Sequence, residues 1–228
     1  MPKRDNISMS VIRRMPRYYR FLSDLLADDV HRISSRELAH RTGLTASQIR
    51  QDLNCFGGFG QQGFGYDVDR LYSEIGRILG VDRGYPAILV GCGNLGRAVA
   101  IHLMSSASSA APAFSLQAAF DRNPMLVGAN IHGLPVLDSE AMGDYCAENQ
   151  IKAAFLCIPT ESAPAVVQLL YARGIRSFWN FSHYDIALKY PDAVVENVHL
   201  TDSLLTLAYR MTDAEEGKQN TEEQDGES

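Results

Sequence analysis

The sequence predicts an α/β protein in two parts, a small helical module followed by a parallel-sheet domain. Three features carry that prediction: a glycine fingerprint between an apolar run and a helix start, a pair of short capped helices upstream of it, and an uneven spread of charge. With 228 residues, 46% of them apolar, the chain is long enough for two cores. Residues 1–60 hold ten Lys+Arg and six Asp+Glu, a net of +4, while the other 168 hold 11 and 21, a net of −10. That is the balance of a basic module attached to an acidic body. No run approaches the ~20 apolar residues of a membrane span and no signal-peptide pattern opens the chain, so a cytosolic protein is expected. Cys55, Cys92, Cys146 and Cys157 show neither a C-x-x-C motif nor metal-ligand spacing, so they read as scattered thiols with no metal.

The first module is assigned to residues 1–80. Pro16 stands where a first helical turn tolerates it, and Tyr18, Tyr19, Phe21, Leu22, Leu25 and Leu26 recur at helical spacing up to about Asp28. Ser34-Ser35-Arg36-Glu37 reads as a capping box opening a short helix that stops at Gly43. Thr45-Ala46-Ser47-Gln48 reads as a second box, opening Ile49 to Asn54. Two short helices across a glycine turn make a helix-turn-helix, the second placed to enter a major groove. Gly57 to Tyr66 is rich in glycine and aromatics and reads as a tight hairpin, the wing of a winged helix; Val68 to Leu79 is a closing helix. Ser47, Gln48, Arg50 and Gln51 have the chemistry to meet bases or phosphates. Ser34, Ser35, Thr45 and the wing residues Gly60, Gln61 and Gln62 complete the expected DNA-binding set. A plain helical domain with a solvated Arg50 would leave the same pattern.

Gly80 to Pro86 reads as the linker, and 86–199 as a Rossmann-like parallel α/β domain. Ala87-Ile88-Leu89-Val90 is a strand, Gly91-Cys92-Gly93-Asn94-Leu95-Gly96 the turn, and Arg97 onward a helix, the order that a dinucleotide pyrophosphate needs. The first glycine permits the tight turn, the second lets backbone approach phosphate, and the third lets helix pack on strand. A loop-like stretch of small residues, Ser105 to Pro112, precedes Leu116–Phe120, a second strand ending at Asp121. A carboxylate there accepts from both adenosine ribose hydroxyls and favours NAD(H), although the adjacent Arg122 could welcome a 2′-phosphate. Ala153 to Pro159, ending in a proline-marked turn, and Ser177 to Ser182 read as further strands. They leave Pro159, Thr160, Asn180 and Phe181 at the ligand edge, as cofactor contacts or as ordinary strand-end punctuation. Residues 200–212 form a last apolar helix suited to packing on the body or on a partner, and 213–228, with seven acids and one lysine, are expected to be disordered.

An NAD-dependent oxidoreductase with an N-terminal dimerisation module is the alternative reading. His183, Tyr184, Asp185 and His199 could move a proton, but they form no recognisable catalytic spacing, and little chain remains for a substrate domain. The Arg14–Arg20, Ile33–Ala39, Gln48–Leu53 and Phe56–Gly60 stretches resemble those of the Rex family of redox-sensing transcriptional repressors. So do Gly91–Gly96, Phe120-Asp121, Gly133–Val136 and Gly174-Ile175 through Phe181, so that the likeness runs from about residue 7 to 211. The resemblance implies a homodimer whose winged-helix domains read a palindromic operator, whose nucleotide domains bind NADH or NAD⁺, and whose last helix swaps between subunits. It implies no catalysis: NADH closes the nucleotide domains and releases the repressor from genes for NADH reoxidation and fermentation.

The sequence departs from that family in two places. Basic residues that members carry in the recognition helix and wing are Gln51 and Gln61-Gln62 here, so fewer phosphate contacts are expected. The positions that the resemblance gives to a ligand-dependent switch and dimer contact are Arg20, His102, His199 and Leu200; two histidines there suggest pH-dependent sensing.

Overall fold

The computed structural model describes residues 7–56, 60–61, 65–105 and 113–226, with backbone only for 60–61 and 216–226. Two compact units divide between Gly84 and Tyr85.

In the first unit, α1 (Met9–Ile12) leads into α2 (Met15–Ala27), which buries Met15, Tyr18, Leu22 and Leu25 along one stripe. After β1 (Arg32–Ile33) come α3 (Ser35–Thr42) and α4 (Ala46–Asn54), then β2 (Gly60–Gln61), β3 (Gly65–Asp67) and α5 (Val68–Leu79). Ser34 Oγ accepts from the Glu37 amide at 3.1 Å while Glu37 Oε2 accepts from the Ser34 amide at 2.8 Å, so the first capping box is complete. Asp67 caps α5 by accepting from the Arg70 amide at 2.9 Å. The core is formed by α2 packed on α5, with Leu38, Ile49 and Leu53 from the helix pair closing it. Burying each of these large side chains contributes roughly 1.5–3 kcal/mol. The strands form a small antiparallel sheet in the order β1-β3-β2. Of the expected hairpin, 57–59 and 62–64, including Gln62, lie outside the described residues, as do 106–112 of the small-residue loop.

The second unit carries β4 (Tyr85–Val90), α6 (Asn94–Met104), β5 (Phe114–Asp121), β6 (Asn130–Ile131) and β7 (Leu134–Asp138). A 3₁₀ turn (Ser139–Ala141) then leads to α7 (Met142–Glu148), β8 (Ala153–Leu156), α8 (Ala163–Ala172), β9 (Ser177–Asn180), α9 (Ile186–Lys189), β10 (Val194–Asn197) and α10 (Leu200–Gly226). The sheet order is β10-β9-β8-β4-β5-β7-β6, with β6 antiparallel to β7. Ile88, Val90, Phe120, Ala154 and Leu156 belong to one core, and Ala87, Leu89, Ala119, Ala153 and Phe155 to another. Alternate residues of the same strands feed opposite faces, so the sheet is buried on both sides and its central strands read as unbroken apolar runs. The order of strands reverses beside β4: the chain moves outward through β5 and β7, then returns to place β8 on β4's other side. A crevice opens at such a reversal, at the carboxyl ends of the strands.

The C-terminus differs from expectation. One helix runs from Leu200 to Gly226, through the segment expected to be disordered. Beyond Thr212 the sequence has Ala214, Glu215, Glu216, Lys218 and Gln219, good helix formers with no proline, which outweigh the roughly 1 kcal/mol cost of Gly217. Leu200, Leu204, Leu205, Leu207, Tyr209 and Met211 are 54–71% exposed, so within one chain this helix does not bury its apolar side chains on the body.

Candidate functional site

At the sheet reversal, β4 ends in Gly91, with φ +95°; a Cβ there would lie 2.4 Å from the Cys157 carbonyl oxygen. A Cβ on Gly96 would lie 1.8 Å from the Gly91 carbonyl oxygen. Only glycines let turn, helix and β8 approach this closely. A Cβ on Gly93 would meet nothing within 4 Å, so this glycine faces open space. Gly93 also opens α6 without any side-chain cap, leaving the polarity of the first-turn N–H groups for an anion.

Asp121 closes the other side of the turn. Its Oδ2 accepts from the Cys92 amide at 2.6 Å and its Oδ1 from the Asn123 amide at 2.8 Å. Both oxygens are thus held by backbone before any ligand arrives, and each keeps acceptor capacity for a ribose hydroxyl. A cleft of about 680 Å³ lies here, lined by Gly91, Gly93, Asn94, Leu95, Asp121, Arg122 and Pro159 among the residues expected from sequence. That is ample for a nucleotide.

Cys92, Gly96, Thr160, Asn180 and Phe181, also expected, are not among the residues that line this cleft. Cys92 is buried and supplies its amide, not its thiol, to Asp121. The Thr160 carbonyl accepts from the Ala163 amide at 3.3 Å, in the turn that opens α8. Asn180 is fully buried: its amide donates to the Tyr184 carbonyl at 3.0 Å and to Asn197 Oδ1 at 2.8 Å, so its role is to brace β9 against β10. Phe181 packs edge-on against Trp179. Ser139, Cys157, Ile158, Ser162, Ala165 and Val166 line the cleft without having been expected. Burial raises the thiols of Cys92 to about 11 and Cys157 to about 12, so both stay protonated at neutral pH and thiolate chemistry is disfavoured.

In the first unit the second helix of the pair, α4, presents Ser47, Arg50, Gln51 and Asn54 on one exposed stripe, at i, i+3, i+4 and i+7. Arg50 Nη1 donates to Ser35 Oγ at 3.1 Å, which brings Ser35 to this face. Gln48 departs from expectation. Thr45 Oγ1 does accept from the Gln48 amide at 3.1 Å, but the Gln48 side chain does not return to the cap. Its Nε2 donates to Asp52 Oδ1 at 2.8 Å. Asp52 has no exposed surface, and Arg14 donates to both its oxygens at 2.6 and 2.7 Å, with Tyr18 Oη adding a third donor at 2.7 Å. Burial pushes the carboxyl up, but the hydrogen bonds from Arg14, Tyr18 and Gln48 outweigh it and hold Asp52 below the usual carboxylate range. The buried charge takes the Gln48 amide because an unpaired carboxylate oxygen there would be costly. Gly60 and Gln61 pair with Tyr66 and Gly65 across the short hairpin.

The expected switch positions lie on three elements of the two units. Arg20 lies on α2, its guanidinium 6.0 Å from the Phe21 ring. His102 is exposed in the last turn of α6. His199, just before Leu200 and α10, stacks on His183, with ring centroids 5.1 Å apart and planes 7° apart. The described residues hold no group of three or more His, Cys, Asp or Glu side chains placed for a metal.

Residues 6–54 match a family model described as a putative DNA-binding protein N-terminus, and residues 82–184 one described as a CoA binding domain. The chain is 50% identical over 216 residues to the redox-sensing transcriptional repressor Rex of Thermoanaerobacter pseudethanolicus, covering 94% of each. It is 51% identical over 213 residues to the repressor of that name from Clostridioides difficile, covering 93% of this chain and 98% of that one. Among solved structures, the Rex-family repressor RSP with β-NAD⁺ and operator DNA superposes with a TM-score of 0.83 at 48% identity, covering 93% of this chain and 96% of that one. RSP with β-NADH gives 0.82 at 45% identity, covering 94% and 98%.

Proposed function

The chain belongs to the Rex family of redox-sensing transcriptional repressors, and on that basis we propose that it binds palindromic operator DNA as a homodimer and leaves it when NADH binds. It is a regulator and not an enzyme. The observation that carries the reading is the union, in one chain, of an uncapped helix start behind a glycine turn closed by Asp121 with a helix pair presenting Arg50. The turn and helix start hold the pyrophosphate, and Asp121 takes the ribose hydroxyls and repels a 2′-phosphate, which favours NAD(H) over NADP(H).

Ser35, Ser47, Arg50 and Gln51 contact DNA from the helix pair, with Asn54 added by its place on the stripe. Gln48 positions α4 from inside. The exposed apolar side chains of α10 are covered by a second copy, whose own α10 is exchanged in return; this accounts for leucines left in solvent on one chain. NADH can release DNA only by binding the DNA-incompetent arrangement better than the competent one. None of the described helices is long and apolar enough to cross a membrane, in keeping with a repressor that reaches DNA in the cytoplasm.

The nucleotide half of this reading is tested by titrating NADH against the fluorescence of Trp179, the chain's single tryptophan. Saturable quenching is expected. Asp121→Ala should weaken NADH by about tenfold or more, from lost ribose bonds and a loosened Cys92 turn, each worth about 1 kcal/mol or more. The chain should remain folded, its melting temperature lowered by a few degrees through the lost Cys92 and Asn123 bonds. Unchanged affinity would place the ribose elsewhere.

A further inference from the structure

At the end of α2 the chain turns back on itself. Asp29 takes a left-handed conformation, φ +59°, and the Val30 amide donates to the Leu25 carbonyl at 2.8 Å, which closes the helix in a Schellman turn. Between this turn, β1 and α3 the first unit holds a pocket of about 190 Å³. No residue of α4 lines it, so it is separate from the exposed stripe that carries Arg50.

The floor of the pocket is apolar: Leu25 and Ile33 belong to the buried core, and Val30 is half-buried against that core. The rim is cationic. Arg32 on β1, and His40 and Arg41 in the last turn of α3, stand exposed around it. Glu37 also lines the pocket, but its Oε2 is engaged by the Ser34 amide at 2.8 Å. The hydrogen bonds from Ser34, and after them the charge of Arg41, hold the Glu37 carboxyl below its usual range. Among the described residues neither Arg32 nor Arg41 makes an ion pair. The rim therefore carries two permanent guanidinium charges against one carboxylate that the helix cap already uses.

Guanidinium groups present paired N–H donors that match a carboxylate, and the His40 ring can add a further hydrogen bond. The volume equals that of about six water molecules at about 30 Å³ each, so the occupant has only a few heavy atoms. An inorganic anion, or a phosphodiester of DNA, would use the rim and leave the apolar floor in water. We propose that this pocket binds a short-chain aliphatic monocarboxylate of about three to five carbons. Its head group lies between Arg32 and Arg41, and its chain covers Leu25, Val30 and Ile33. The site belongs to the first unit alone and is independent of the nucleotide cleft.

The test is a titration of the full chain with sodium butyrate, acetate and butyramide at fixed ionic strength, read from the amide chemical shifts of Val30, Arg32 and His40. Butyrate should bind saturably and about tenfold more tightly than acetate, since each buried methylene is worth roughly fourfold in affinity. Butyramide, of the same shape without the charge, should not saturate the site. Arg32→Gln and Arg41→Gln should each weaken butyrate by roughly fivefold or more. Both side chains are exposed, so the variants should keep the circular dichroism of the unaltered chain. Arg36→Gln, which removes an exposed α3 arginine that does not line the pocket, should leave butyrate binding unchanged. Butyramide or acetate bound as tightly as butyrate would overturn the site, and so would glutamine variants of Arg32 and Arg41 that keep full affinity. Shifts that never saturate would reduce it to non-specific anion attraction and overturn it too. Variants that lose operator DNA and keep butyrate would assign the rim to DNA phosphates instead.

Discussion

Asp52→Ala is expected to destabilise the N-terminal unit by about 3 kcal/mol or more, the usual cost of breaking a buried ion pair by removing one partner. The carboxylate is the shared acceptor for Arg14, Tyr18 and Gln48, and it has no exposed surface. The Arg14 side chain is 27% exposed and recovers some water when its partner is lost, which sets the cost at the lower end of the range. Urea unfolding followed by circular dichroism measures it, and a change under 1 kcal/mol would show that the network holds α4 without stabilising the unit. The same pair sets an acid limit. Because the folded carboxyl titrates below its unfolded value, its stabilisation is fully present above about pH 4 and is lost as pH falls through the folded value.

Arg50→Ala is expected to abolish specific operator binding while leaving NADH binding intact. Arg50 is the only basic side chain on α4, where Gln51 follows it on the exposed stripe. A bidentate arginine–guanine contact discriminates by about 1–3 kcal/mol, and a symmetric dimer loses it in both half-sites, so the loss is roughly 30-fold at least. With no other cation on this helix, little phosphate attraction remains to mask the loss. Operator affinity that survives the change would mean that α4 is not the helix in the groove.

The elements set by short-range rules were readable in the sequence. Ser34 and Glu37 make their reciprocal cap three residues apart, α2 and α5 follow an apolar stripe, and β4 and β8 are unbroken apolar runs. The glycine turn was legible because Gly91, Gly93 and Gly96 fall within six residues between a strand and a helix start, although the contact that forces Gly91 is with Cys157 after β8.

What escaped depends on partners far along the chain. Gln48 sits at the third helical position expected of a capping box, yet its amide goes to a carboxylate whose charge is held by Arg14, 38 residues away from Asp52. Ser162, Ala165 and Val166 line the cleft because the strand order brings α8 beside the glycine turn, and their residue types announce nothing. β1 is two residues long, too short to show a period.

The coupling between nucleotide and DNA is tested most directly by a mobility shift of the full chain on a palindromic operator, titrated separately with NADH and NAD⁺ at fixed salt. Release by micromolar NADH, and not by far higher NAD⁺, is the predicted result, because the coupling requires the reduced nucleotide to favour the DNA-incompetent state. A complex that holds equally with NADH, NAD⁺ or neither would contradict it.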